Sequence, residues 1–452
     1  MDCLKKKLKI VLKRLVVNCI VNHSSLILYV VNKLTTKKPA SLVGKQKVIF
    51  HMDGDAFFVA CEVAKNPKLK GLPVVTGEER GIVSALSYEA KALGITRGMP
   101  IFTIWKKFPQ VLILPGDYLS YAKYSRKMFD IVRRYADEVE EYSIDECFAE
   151  LTGLDRPLYM TYLEIAERIK KEVNEELGLS VSIGLGPSKV LAKVASKWQK
   201  PNGLTEILKN TALEFLRKTP IEKIWGIGPR TSEFLQRRGI STAGDFAKKN
   251  QEWIKINLPK PYEVIWLELN CISVMKIDSK PKTDYSSIQK TKTFHPPTND
   301  EVFLLSQLSK HIEDACRKAR HYGLTSKKVF FFLKTQGFKY CGCEIKLLTP
   351  SDAPEVLISL VDEHFKKIHT KGILYRSAGV VLQELKPESV LQADLFGEGN
   401  KTKRFEKIHK QIDSLEKKFG KRLVYLGVTH KALKGKVSST DTDDLDRDLL
   451  FL

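Results

Sequence analysis

The chain has 452 residues, of which 43% are hydrophobic; this is the composition of a folded protein, so general disorder is excluded and roughly two to four domains are expected. Its 75 lysines and arginines outweigh 53 acidic residues to give a formal net charge of +22 spread along the sequence, which points to a polyanionic partner such as nucleic acid. No stretch reaches the ~20 apolar residues of a membrane span, and the eight cysteines lack the paired C-x-x-C spacing of a zinc site, a usage that suits a reducing cytosol.

Residues 1–46 are basic, with leucine and valine interspersed and a short apolar run at 26–31. They read either as a basic amphipathic surface helix or as an upstream extension outside the working protein. Residues 47–52 (KVIFHM) predict a buried strand that runs directly into acidic residues, followed by a helix over 56–64. Strands are predicted at 74–75 and 81–86, then a helix from Tyr88 that stops near Gly94 and another over 118–136. Two strands over 138–151 join at Ser143-Ile144-Asp145-Glu146, and 159–177 reads as a long amphipathic helix. Strands and helices in mixed order indicate an α+β catalytic core. Residues 211–271 are nearly all helical, 275–286 form a polar, lysine-rich linker containing Pro281, and 287–388 alternate strands with two helices, over 300–322 and 354–369. The remainder is mixed in charge and ends in an acidic stretch, 441–448.

Two carboxylate constellations carry chemistry: Met52-Asp53-Gly54-Asp55-Ala56-Phe57-Phe58 at a strand end, and the adjacent acidic pair Asp145-Glu146 between two strands. Phosphoryl transfer needs hard oxygen ligands for two magnesium ions roughly 3.5–4 Å apart, and carboxylates on neighbouring strands supply them. Taken singly, each motif is also what a turn or a solvated acidic pair looks like. Further along stand Tyr88-Glu89-Ala90-Lys91, Lys200-Pro201-Asn202-Gly203, and Trp225-Gly226-Ile227-Gly228 before a helix. The glycines of that last motif let backbone N–H groups approach a DNA phosphate at a helix start. Lys290 and Lys292 alternate on one strand and so share a face suited to backbone phosphates. Cys341 and Cys343 would also share a strand face, but no partner ligands accompany them and no function is assigned.

In this order, these motifs resemble those of the Y-family (translesion) DNA polymerases of the bacterial polymerase IV type, over residues 47–426. The resemblance implies a multidomain right hand: palm at 47–56 and 119–207, fingers at 57–118, a helical thumb with a helix-hairpin-helix at 208–274, an α/β little finger at 287–388, and a clamp-binding peptide and tail at 389–452. It implies two Mg²⁺ ions, with Mn²⁺ as a substitute, held by Asp53, Asp145, Glu146 and the Gly54 carbonyl. Glu146 is then the catalytic carboxylate, and Asp55 is not a primary ligand. Phe58 is the steric gate against a ribonucleotide 2′-hydroxyl, while Phe57 is core. Tyr88, Lys91 and Lys200 reach the triphosphate; Lys91 stands where the family has arginine and forgoes the two-pronged hydrogen bond. Gly226, Gly228, Lys290 and Lys292 contact DNA, and Gln392, Leu395 and Phe396 fill the pocket of a bacterial sliding clamp. The implied protein is a low-fidelity, monomeric, cytoplasmic polymerase without a proofreading exonuclease, acting on primer-template DNA and deoxynucleoside triphosphates. A metal-dependent nuclease also needs clustered carboxylates but leaves Phe58 and the lysine motifs unexplained; a non-catalytic DNA-binding relative would have lost the acidic residues.

Overall fold

The computed structural model describes residues 47–280, 285–388, 399–419 and 423–433. The readings made for residues 1–46 and for Gln392, Leu395 and Phe396 lie outside the described residues. In chain order come β1 (Ile49–Gly54), α1 (Phe57–Lys65), β2 (Val74–Thr76), β3 (Ala85–Leu86), α2 (Tyr88–Ala92), α3 (Ile101–Lys107) and β4 (Leu112–Leu114). Next are α4 (Tyr118–Arg133), β5 (Val139–Glu141), β6 (Glu146–Glu150), α5 (Tyr162–Leu177), β7 (Val181–Gly186), α6 (Lys189–Trp198) and β8 (Leu204–Glu206). Five short helices follow, α7 (Ala212–Lys218), α8 (Pro229–Gln236), α9 (Ala243–Ala247), α10 (Gln251–Asn257) and α11 (Lys260–Leu269). The last group is β9 (Ser287–Thr298), α12 (Glu301–His321), β10 (Leu324–Thr335), β11 (Tyr340–Ser351), α13 (Pro354–His364), β12 (Tyr375–Pro387) and α14 (Gly399–Phe419).

The strands form three sheets. The five-stranded sheet has the order β5-β6-β1-β7-β8, antiparallel except for the β7–β8 pair. Alternation along its central strands splits the side chains between two faces. Phe50, Met52, Cys147, Ala149, Val181, Ile183 and Leu185 pack with α4 and α5, whereas Ile49 and Phe148 pack with Ala192 of α6 on the opposite face. The small sheet β3-β2-β4 packs around Val75, Val83, Ile101 and Ile104. The fourth group, β9-α12-β10-β11-α13-β12, closes into an all-antiparallel sheet of order β11-β10-β12-β9 with both helices contributing to its core.

Several element edges differ from the sequence expectation for identifiable reasons. The predicted strand over 81–86 is regular only at Ala85–Leu86, because Ile82 makes a single bridge to Pro100 instead. The helix predicted from 159 begins at Tyr162: Tyr159 has a left-handed backbone (φ 52°), and Thr161 forms a capping box with Glu164. The mixed tail contains α14, which docks on α12 and α13 through Arg320–Asp413, Arg317–Glu416 and His409–Glu355 pairs. Among the described residues no helix is long and apolar enough to cross a membrane.

The close approach of α6 to the sheet depends on Gly184 in β7. A Cβ there would stand 2.1 Å from the Ala192 carbonyl oxygen and 2.2 Å from the Ser196 nitrogen, both backbone atoms that cannot rotate away. We expect Gly184→Ala to destabilise the fold by about 3 kcal/mol through overpacking, read as a lowered midpoint in denaturant unfolding.

Candidate active site

Asp53 lies directly opposite Glu146 in the β1–β6 register, so both carboxylates project from the same face of the sheet. It is the face that α6 covers. Lys189, Lys193 and Lys197 recur one helical turn apart on α6 and line a single side of it. Lys193 Nζ donates to Glu146 Oε2 at 2.8 Å, and Lys189 Nζ reaches the two oxygens of Glu140 at 2.6 and 2.7 Å. Lys200, just past the helix, pairs with Asp53 and lies 3.6 Å from Asp55.

Asp55 is committed to its surroundings. Ser180 and Ser182 hydroxyls each donate to it at 2.8 Å, and the Asn202 N–H does so at 2.7 Å. It thereby ties the K-P-N-G turn, where Asn202 has a left-handed φ of 58°, to the end of β1. Asp145 accepts the Ser143 hydroxyl at 2.7 Å, and its own carbonyl receives the Gly54 N–H at 2.9 Å.

The electrostatics follow from burial and crowding. Burial pushes Asp53 up to about 7 against the pull of Lys200, and the neighbouring Glu146 and Asp145 add to the rise. Burial would raise Glu146 too, but the charge and hydrogen bond of Lys193 outweigh it and hold Glu146 below the usual glutamate range, assisted by a hydrogen bond from Asp53. Burial likewise raises Asp145, opposed by Ser143 and reinforced by Glu146. Two crowded carboxyls push their proton affinities apart, and the closer hold of Lys193 places Glu146 on the ionised side.

Phe58 sits half-buried, stacked on Tyr121 with ring centroids 4.5 Å apart and 12° between planes, and edge-on to Tyr118 at 5.7 Å. Phe57 points into the core. Tyr88 is brought to the same end of β1: burial, then the nearby Asp55 and Asp53, push its hydroxyl up to about 12. Lys91 is exposed, its ammonium 5.9 Å from the Tyr88 ring centroid. These residues and the carboxylates therefore converge, whereas Gly226, Gly228, Lys290 and Lys292 belong to other parts of the fold. Gly226 has φ 88°, a conformation that favours glycine, and Gly228 caps the start of α8. Lys290 and Lys292 do share a strand face; it is the one that also carries Ile288 and Phe294 into the core beneath α12. Lys292 emerges from that face into solvent because β9 is the edge strand.

Sequence reading assigned no role to Lys193, Tyr142 or Trp225, although Trp225 heads the W-G-I-G motif. The one-turn spacing of lysines in KVLAKVASKW was visible, but nothing in it signalled which carboxylates they would meet. The oxygen donors of Asp53, Asp145 and Glu146 fit a hard divalent cation such as Mg²⁺ in chemistry. Lys200 already brings a positive charge to Asp53. No group of three or more His, Cys, Asp or Glu among the described residues encloses a common point as a finished ligand set; Asp145 is engaged by Ser143 and Asp53 by Lys200.

Comparison with known proteins places the chain in a family. A family model described as the impB/mucB/samB family matches residues 52–197, the C-terminal domain of that family matches 285–395, and an IMS family HHH motif matches 209–240. DNA polymerase IV 1 of Bacillus subtilis (strain 168) is 30% identical over 407 residues, covering 88% of this chain and 96% of that protein. DNA polymerase IV of Desulfatibacillum aliphaticivorans is 32% identical over 386 residues, covering 83% and 95%. The fold matches a Y-family DNA polymerase chimera of Dbh and Dpo4 with TM-score 0.63 at 24% identity, over 75% of this chain and 99% of that one. It also matches a Dbh ternary complex with TM-score 0.51 at 26% identity, over 74% and 98%. With identity sustained along almost the full length of its relatives, and the fold shared, the chain belongs to the impB/mucB/samB family, the Y-family DNA polymerases of the polymerase IV type.

Proposed function

We propose that the protein is a template-directed DNA polymerase that extends a primer 3′-hydroxyl with deoxynucleotides and does so across damaged templates. The observation that carries this reading is the Asp53–Glu146 pair on the lysine-lined face, with Phe58 and Tyr88 at the same strand end. The five-stranded sheet with α4 to α6 corresponds to the palm (47–56 and 119–207), and 57–118 to the fingers. The helices of 208–274 correspond to the thumb, 275–286 to the linker, 287–388 to the little finger and 389–452 to the clamp peptide and tail.

In this reading Glu146, held ionised by Lys193, accepts the proton of the primer 3′-hydroxyl as that oxygen attacks the α-phosphate and pyrophosphate departs. Asp53, Asp145, Glu146 and the Gly54 carbonyl would hold two Mg²⁺ ions, or Mn²⁺ in their place, which supply charge stabilisation at the attacking and leaving oxygens. Lys200 and Tyr88, already beside the carboxylates, orient the triphosphate, with exposed Lys91 adding charge. The Phe58 ring, braced by Tyr121 and Tyr118, occupies the volume that a 2′-hydroxyl would need. Gly226, Gly228, Lys290 and Lys292 grip the duplex by its phosphates, and Gln392, Leu395 and Phe396 engage a sliding clamp. This assigns the protein to the cytoplasm, as a monomer on primer-template DNA.

Extension of a labelled primer tests this directly. Asp145→Ala should abolish nucleotide addition while leaving DNA affinity within about twofold; undiminished extension would remove Asp145 from the site. For the gate, Phe58→Ala should raise ribonucleotide addition relative to deoxynucleotide addition, and an unchanged ratio would return Phe58 to a packing role. Because backbone phosphates dominate binding, affinity for primer-template should fall steeply between ~50 and ~200 mM salt; a flat profile would contradict the phosphate-gripping picture.

A further inference from the structure

Lys193 is 5% exposed, and its ammonium has one hydrogen-bond partner among the described residues, Glu146. The other sides of its pocket are aromatic: the Tyr142 ring lies 4.3 Å from Nζ, the Trp225 ring 5.1 Å and the Phe148 ring 6.0 Å. Tyr142 and Phe148 flank the S-I-D-E hairpin that presents Asp145 and Glu146. Trp225 comes from elsewhere, from the residue immediately before Gly226 at the start of the hairpin that leads into α8. Its indole N–H donates to the Tyr142 hydroxyl at 2.9 Å, and its ring stacks on Phe148 with centroids 5.7 Å apart and 24° between planes. Trp225 therefore closes the box around Lys193 and holds the base of the acidic hairpin at the same time.

A buried ammonium among π faces keeps a strong hold on its one carboxylate only while water is excluded. If the Trp225 wall opens, the ammonium regains hydration and its grip on Glu146 weakens. From this geometry we infer that Lys193 and Trp225 are positioning residues that couple the seating of the helical hairpin on the sheet to the placement of Glu146. Neither residue touches the reacting atoms; Trp225 acts through Lys193 and Tyr142, and Lys193 through Glu146. The coupling makes the catalytic carboxylate sensitive to whether the DNA-gripping helices are docked. This rests on the polymerase reading above and adds a specific route by which the hairpin of 226–228 affects chemistry as well as binding.

The test uses the full chain with primer-template DNA and measures single-turnover extension at saturating DNA and nucleotide, with DNA affinity and thermal melting in parallel. Trp225→Leu and Lys193→Met should each slow the turnover by about 10- to 100-fold, the scale of a misplaced catalytic group, with DNA affinity within about twofold. Lys193→Arg should recover part of the loss, since it restores the charge opposite Glu146, and Trp225→Phe should fall between wild type and Trp225→Leu because it keeps the ring but loses the N–H. Combining Trp225→Leu with Lys193→Met should cost little more than the slower single change, because both act through one carboxylate. Loss of DNA affinity with an unchanged rate at saturation would make Trp225 an anchor of the helical region alone and overturn the inference, as would multiplicative losses in the double variant. Failure of the wild-type chain to extend any primer would instead overturn the polymerase reading, and this coupling with it.

Discussion

The antiparallel pairing of β1 with β6 is the constraint from which the site follows. Its register sets Asp53 against Glu146, and the alternation of strand side chains then decides that both face α6 instead of the apolar core beneath α4 and α5. A slip of β1 by one residue against β6 would turn Asp53 into that core, bring Met52 to the lysines and part Asp53 from Glu146. The register is secured by the buried set on the opposite side, Phe50, Met52, Cys147 and Ala149, so packing on one face sets the chemistry on the other.

Helix α6 has two jobs that its sequence separates by angle. Its lysines meet Glu140 and Glu146, while Val190, Leu191, Val194 and Ala195 belong to the core of the helical region that includes Leu216, Ile227 and Ile265. Its start is bound to the same region: Ser188 donates to the Glu268 carbonyl at 2.7 Å, and the Glu268 carboxylate accepts from the Val190, Val274 and Met275 amides. Glu268 is fully buried, and those three amides are what make its burial tolerable. The linker beyond is held as well, since the Asp278 N–H donates to Glu140 at 2.8 Å. The carboxylate-bearing face and the helical region are thus parts of one packed unit.

The second sheet is finished differently. The tail returns to α12 and α13 through polar contacts: Arg320 with Asp413 at 2.7 and 3.0 Å, His409 with Glu355 at 2.8 and 2.9 Å, and the Leu426 N–H to Glu313 at 2.9 Å. Partly buried polar pairs of this kind specify a docking geometry more than they stabilise it. This accounts for buried polar residues on α12 such as Ser306, Gln307, Glu313 and Arg317. A helix facing only the sheet would have no use for them.

How much of this was legible before folding depends on the distance over which the determinants act. That Asp53, Asp145, Glu146, Phe58 and Tyr88 are candidates for one site was readable because each sits in a short contiguous motif whose residue types have few other uses together, and the long helices and strands were readable from their periodicity. Helix edges were set by local capping that competes with periodicity, as at Thr161 and Tyr159. The tail helix was missed although Phe405, Ile408, Ile412, Leu415 and Phe419 recur at helical spacing, and the side it docks with carries His409, Asp413 and Glu416 instead. Which functional groups exist, and on which of the strongly periodic elements they sit, was written in the linear order of residues. That Lys193 lies under Glu146, that Asp55 is consumed by Ser180, Ser182 and the K-P-N-G turn, and that Trp225 closes the box around Lys193 came from folding alone, because these partners are distant in sequence and their meeting is set by sheet register and helix packing.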